Sequence, residues 1–242
     1  MLTRRSMLLA AAATAACATQ TPRDAADKLL DHAIARMGGV DAINRSRVLA
    51  WTGHARIHAD NRNIDIGLET VVEPFAYARS DTWLASEGRS AMRSLEIDGD
   101  RGTIIRNGES SPMPTAMLRN EKAQFAIYGL MRLVSLRDPG VILRTLPLPP
   151  TIPTTWRYGL NVDHPAAMDV NMFFDSSAAL VGMDNTVPSV ENNGAPIRQV
   201  FTLGELRESS TGMYWPSTLS ITQDRRPFFD LTFETFTPRQ SR

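Results

Sequence analysis

Residues 48–58, VLAWTGHARIH, alternate between apolar and polar side chains with a period of two. On one side of an extended chain this places Leu49, Trp51, Ala55 and Ile57. Such alternation is typical of a strand with one buried and one solvated face. Residues 60–62 (Asp-Asn-Arg) predict a turn into a second alternating run at residues 64–72. The two runs therefore predict a β-hairpin.

Similar short runs continue the pattern on both sides of a central helical segment. Before that segment they predict strands at residues 75–84, 92–97 and 103–106, with Asp98-Gly99-Asp100 and Asn107-Gly108 as tight turns. After it they predict strands at residues 156–161, 168–174, 180–183, 197–207, 218–222 and 229–236. Successive hairpins of this kind predict one antiparallel sheet of about ten or more strands.

Two segments have the period of a helix. The first begins near Thr21 and runs to Met37, where Gly38-Gly39 ends it. The second covers Ala116–Leu136, and its apolar residues exceed one narrow stripe, so it must pack against another apolar surface. Residues 147–153 are rich in proline and predict an extended connector. The predicted fold is α+β, with a large curved antiparallel sheet, an N-terminal helix and a central helix in a single domain.

The N terminus has the pattern of a bacterial export signal. Arg4 and Arg5 precede a short apolar run, and residues 3–8 resemble the twin-arginine export pattern, with Met7 where that pattern favours Phe. The apolar run is about half of the ~20 residues that a membrane-spanning helix requires. We therefore expect a removable leader, residues 1–16.

Cys17 is the only cysteine, and it follows small residues, as at the site where a bacterial lipoprotein is lipidated and cut. We expect lipidation of Cys17, which would anchor residues 17–242 to a membrane from the periplasmic side. The alternative is cleavage after Ala18, with Ala16 and Ala18 as the small residues of the signal, which would discard Cys17 with the leader.

Composition and motifs argue against several classes of function. The chain has 26 basic and 26 acidic residues, and this balance disfavours a nucleic-acid partner. No nucleophile elbow, glycine-rich phosphate loop or calcium loop occurs in the sequence, so it predicts no cofactor and no catalytic residue. His54 and His58 lie four residues apart on a predicted strand, about 13 Å from each other, and we expect them to bind no metal.

A large curved sheet offers more apolar concave surface than two helices fill, and methionine suits an irregular, flexible ligand. We therefore expect an apolar pocket between the sheet and the central helix. Its predicted wall residues are Trp51, Trp83, Phe125, Tyr128, Met131 and Trp156. A polar substitution at Met131 is expected to weaken ligand uptake more than folding.

The order of these elements resembles the outer-membrane lipoprotein carrier (LolA/LolB-like) superfamily. The resemblance rests on residues 37–43 before the first strand, residues 97–102 leading into Asn107-Gly108, the apolar helix that begins near Ala116, and residues 214–217. It implies a half-open barrel with a lid helix whose concave surface holds acyl chains or other hydrophobic ligands.

These observations favour a non-enzymatic envelope protein that binds a lipid or acyl chain between sheet and lid helix. The alternative is an interaction or accessory module with a filled core, which docks an envelope protein partner on its outer strands. A hydrolase is the least favoured reading, because the catalytic motifs are absent.

Overall fold

The computed structural model describes residues 22–59, 62–166, 169–188 and 195–242. The expectations for the leader, Cys17 and most of the turn at residues 60–62 lie outside these ranges. No helix in the described ranges is both long enough and apolar enough to cross a membrane.

Thirteen strands form one curved antiparallel sheet that does not close, which confirms the predicted α+β half-barrel. They are β1 (Leu49–Ala59), β2 (Arg62–Glu73), β3 (Tyr77–Leu84), β4 (Arg93–Asp98), β5 (Arg101–Arg106), β6 (Glu109–Pro112), β7 (Ile142–Thr145), β8 (Tyr158–Asp163), β9 (Val170–Phe174), β10 (Leu180–Pro188), β11 (Pro196–Leu203), β14 (Thr218–Gln223) and β15 (Arg226–Phe236). Two short strands, β12 (Leu206–Glu208) and β13 (Tyr214–Pro216), pair separately.

The sheet is two meanders joined in the middle. Its strand order is β6-β5-β4-β3-β2-β1-β15-β14-β11-β10-β9-β8-β7. β1 pairs with β2 along its whole length, with Trp51 opposite Thr70, and it pairs on its other side with the last strand, where Trp51 lies opposite Phe236. The predicted alternation of β1 is confirmed, since Leu49, Trp51 and Ala55 are buried.

In the part of the chain that the structure describes, three α-helices accompany the sheet: α1 (Pro22–Arg36), α2 (Gly39–Arg45) and α3 (Thr115–Met131). The glycine pair that ends α1 also starts α2, a seven-residue helix that the sequence pattern did not predict. Gly38 has a φ of 104°, and a Cβ there would collide with the backbone of Gly212. Only glycine fits this close approach.

The predicted central helix was too long at its C-terminal end. α3 ends at Met131, and Leu133 has a φ of 63°, which breaks the helical path before a short 3₁₀ turn at Val134–Arg137. The new direction is held by two hydrogen bonds. Arg132 donates to the carbonyl of Ile43 at 3.0 Å, and the hydroxyl of Ser135 donates to the carbonyl of Gly129 at 3.1 Å.

Two other predictions of the sheet needed correction. The strand predicted at residues 197–207 is divided, because β11 ends at Leu203 and β12 turns away to pair with β13. The edge strands β6 and β7 lie in two segments for which the sequence pattern predicted no strand.

The main core lies on the concave face, between the sheet and the helices. Leu30 and Ala33 of α1, and Met37 directly after it, belong to the same cluster as Leu160 and Phe174 of the second meander. α3 contributes Ile127, Leu130 and Met131, which are buried, to that cluster. Both helices therefore cover the concave face of the sheet. Space that α3 leaves unfilled on this face would be available to a ligand.

Candidate ligand cavity

A cavity of about 390 Å³ separates α3 from the concave face of the first meander and the central strands. Ligand pockets of proteins typically have volumes of about 300–1,000 Å³, so the space is large enough for a small ligand. Its apolar lining residues are Trp51, Ile57, Ile66, Leu68, Leu95, Phe125, Tyr128, Val187, Ile197, Ile221, Phe228, Phe229 and Leu231.

Aromatic rings close one side of the cavity. The rings of Trp51 on β1 and Tyr128 on α3 lie 4.8 Å apart, and Trp51 also contacts Phe233 at 5.7 Å. Burial raises the pKa of Tyr128, with a smaller contribution from the charge of Glu121. Tyr128 is therefore neutral under ordinary conditions and presents an uncharged surface.

Polar side chains are placed at intervals around this apolar wall. Thr70 and Ser80 hydrogen-bond to each other at 2.9 Å across β2 and β3. On the opposite side, Gln124 of α3 donates to the side-chain oxygen of Gln199 on β11 at 3.0 Å. These bonds provide partners for four polar side chains of the wall, and the Gln124–Gln199 bond also joins the helix to the sheet.

A second cavity of about 290 Å³ continues along the same strands. The first cavity is lined by Thr70, Ser80 and Leu95, and the second by the next residues inward on the same strands, Val72, Ala78 and Ile97. Phe125 lines both cavities. Its ring therefore stands at the junction and divides one groove beneath α3 into two compartments.

The far end of the second cavity contains Phe75, a residue with a φ of 65° in the turn between β2 and β3. Its ring stacks on His164 with a centroid distance of 4.7 Å. It also lies against Gly129 of α3, where an added Cβ would come within 2.6 Å of the ring. The contacts of the ring with His164 and Gly129 hold Phe75 in this strained backbone conformation.

A charged group lies on the concave face beside the first cavity. Arg93 precedes Leu95 by two residues on β4, so both side chains point to the same face. Burial lowers the pKa of Arg93, and the nearby charge of Arg106 lowers it further. Burial likewise raises the pKa of Glu121, which lines the cavity from α3, while the charge of Arg93 opposes that shift.

The predicted wall residues fall into two groups. Trp51, Phe125 and Tyr128 meet at the first cavity. Met131 has 0% exposure and belongs to the closed core. Trp83 packs over Gly67 under the guanidinium of Arg89, and Trp156 stacks on Phe173 over Gly182, in both cases on the face of the sheet opposite α3.

The polar lining residues Glu121, Gln124 and Gln199, and the neighbouring Arg93, had no place in the predicted site. Only their spacing in the sequence could have indicated them. Arg93 lies on the same strand face as Leu95 and Ile97, because residues two apart point the same way. Glu121 lies on the same helix face as Gln124 and Tyr128. Charged residues on an apolar face are uncommon enough to mark a place where the face is not filled.

The two strand histidines lie on the outer face. The Nε2 atom of His54 lies 2.7 Å from a carboxylate oxygen of Glu234, and His58 bonds to Asp230 at 2.7 Å and to Asn63 at 3.1 Å. In the ranges that the structure describes, no three histidine, cysteine, aspartate or glutamate side chains are grouped so as to hold a metal ion. The expectation that this pair binds no metal remains a prediction.

Comparison with known proteins gives matches in structure alone. No protein-family model matches the chain, and no curated protein matches its sequence. A LolA superfamily protein from Nitrosomonas europaea is 14% identical, with a TM-score of 0.58 over 90% of this chain and 94% of that one. A DUF1329 family protein from Desulfovibrio piger is 8% identical, with a TM-score of 0.57 over 88% and 92% of the two chains. At these identities the likeness concerns the fold alone, and it confirms the architectural resemblance to the LolA superfamily that the sequence predicted.

Proposed function

We propose that this protein is a non-enzymatic envelope protein that binds a lipid or another acyl-chain ligand between α3 and the concave face of the sheet. The observation that carries the proposal is the cavity of about 390 Å³ lined mainly by apolar side chains. A hydrophobic ligand that displaces water from this apolar surface binds with a favourable free energy.

The shape of the space supports an elongated ligand. Along β1 the lining runs from Trp51 to Ile57, a distance of six residue steps, or roughly 20 Å at ~3.3 Å per residue. Cavities of this form suit a chain rather than a compact metabolite. The LolA-like architecture is compatible with this function, although fold alone does not determine it.

Export and anchoring are the second part of the proposal. The leader at residues 1–16 supports delivery to the periplasm, and a lipidated Cys17 would hold the domain, residues 17–242, at a membrane surface. An anchored protein of this kind would take up or release its ligand at that membrane. Between these two events the ligand would stay bound between the sheet and α3.

Uptake of a fluorescent acyl probe tests the binding function. Ser80→Phe adds a ring that points into the first cavity, and we expect it to lower probe affinity at least about tenfold while the fold is retained. The matched control is Thr232→Phe, which adds a ring on the exposed outer face of β15 and should leave affinity unchanged.

The same experiment separates the proposal from its alternative. Wild-type protein that takes up no hydrophobic probe would contradict the binding function and favour an interaction module that docks an envelope protein on its outer strands. An affinity that is unchanged, or changed equally, in the two variants would show that the probe does not bind in this cavity.

A further inference from the structure

The concave face carries an arginine whose surroundings do not satisfy it. The Nε atom of Arg93 is buried and has no hydrogen-bond partner. Within the described residues, neither Arg93 nor Arg106 forms an ion pair with a carboxylate. A partly buried guanidinium keeps its charge, so leaving it unpaired is costly.

Arg93 lies next to the proposed ligand. On β3 its register partner is Thr82, a cavity residue whose hydroxyl donates to the carbonyl of Arg93 at 3.4 Å. On its own strand the next residue facing inward is Leu95, another cavity residue. A ligand could therefore place its head group beside Arg93 while its alkyl chain extends past Leu95 and Ser80 toward Trp51.

A second arginine extends this basic edge. Arg106 is the register partner of Arg93 on β5, and its charge acts on the guanidinium of Arg93. Two arginines on one side of an opening attract carboxylate or phosphate, which guanidinium groups bind through paired hydrogen bonds.

Glu121 opposes them from α3. It is the charged group of the helix that faces Arg93, and burial raises its pKa while Arg93 counteracts that shift. It lines the cavity but does not pair with Arg93 at ion-pair distance. The guanidinium of Arg93 is therefore accessible to an anionic ligand. Glu121 would compete with that ligand for the positive charge of Arg93.

From this arrangement we infer that the ligand is an anionic amphiphile whose carboxylate or phosphate head group pairs with Arg93 and Arg106 while its chain occupies the apolar cavity. The inference rests on the proposed function and adds the chemical class of the ligand to it. Carboxylate and phosphate share the chemistry that the two arginines recognise, and separate probes distinguish them.

The test compares three probes that share one alkyl chain. Lauric acid, lauryl phosphate and lauryl alcohol are titrated against the full chain by displacement of a neutral fluorescent acyl probe. We expect one or both anions to bind at least about tenfold more tightly than the alcohol. The tighter of the two anions identifies the head group.

Arg93→Gln should remove this preference and leave the affinity for lauryl alcohol unchanged. The control is Arg101→Gln, which removes the same charge from the exposed, outward-facing start of β5 and should have no effect. Arg106→Gln should reduce the preference in part, and because that side chain is exposed the variant retains the fold even if Arg93→Gln does not. Glu121→Gln should tighten binding of the anions by removing their competitor.

Equal affinity of the wild-type protein for all three probes would overturn the inference and leave the proposed function intact. An equal effect of Arg93→Gln and Arg101→Gln would also overturn it, because long-range charge alone would then account for the preference. Failure of every probe, the alcohol included, would overturn the proposed function itself.

Discussion

Glutamine substitutions at Met131 and Leu95 distinguish closed core from cavity wall. Both replace an apolar side chain by an amide of similar size and no charge. Met131, the last residue of α3, is 0% exposed in the core, whereas Leu95 is half-buried and lines the first cavity. The sequence alone suggested that a polar residue at Met131 would weaken binding more than folding, and its position in the core reverses that expectation.

The expected free energies of unfolding follow from these positions. Met131→Gln loses about 1–2 kcal/mol of apolar burial and adds about 1–3 kcal/mol for an amide without partners, so we expect a loss of about 2–5 kcal/mol. That is a large share of the ~5–15 kcal/mol that stabilises a typical domain. Leu95→Gln places its amide where cavity water can hydrate it, and we expect a loss of about 1 kcal/mol.

Urea unfolding followed by tryptophan fluorescence and far-UV circular dichroism measures both values. Acyl-probe uptake, measured on the folded protein, should fall several-fold in Leu95→Gln. A cost for Leu95→Gln as large as that for Met131→Gln would refute the reasoning, because it would place Leu95 in a closed core.

Export, metal binding, glycine packing and acid stability give separate tests. Mass spectrometry of the membrane fraction should find a mature chain that begins at a lipidated Cys17, and an unmodified mature terminus would contradict this. Metal analysis should find no stoichiometric zinc, and zinc that disappears in a His54→Ala, His58→Ala double variant would show the prediction to be wrong. Gly182→Ala should cost more than about 2 kcal/mol, because its Cβ would overlap a tryptophan ring and lie 2.9 Å from a backbone oxygen; thermal unfolding like that of the wild type would disprove the packing. The hydrogen bond from His58 holds the pKa of Asp230 below its ordinary value of 3.8, so this contribution to stability is complete above that value and is lost as the pH falls through the lowered pKa. NMR titration of His58→Ala should show the pKa of Asp230 moving back up, and an unchanged value would rule out this cause.

The side chains of β1 that line the cavity could be predicted from the sequence where one face of the strand is buried and the other is solvated. Residues 49–56 alternate between buried and more exposed side chains, so the inward direction of Trp51 could be predicted. In β3 nearly every residue is partly exposed, because both faces are partly covered, and the direction of Trp83 could not be read from the pattern. A one-residue difference in register decides such cases.

Other features have no signal in local sequence. Every residue of β6 is exposed, so this edge strand is held by backbone pairing without an apolar face. The break after Met131 depends on the positive φ of Leu133 and on the bond from Arg132 to Ile43, 89 residues away. Contacts of that range are set by the tertiary fold.

The last strand of the chain lies in the middle of the sheet. β15 pairs with both β1 and β14, and it brings Thr235 to Thr52, 183 positions apart in the sequence. The floor of the cavity combines Trp51 from the first strand with Leu231 from the last. Closing a loop of this length precedes completion of the sheet, and such topologies fold slowly. A chain without β15 would therefore lose Phe228, Phe229 and Leu231 from the cavity lining, together with the backbone pairing that joins the two meanders.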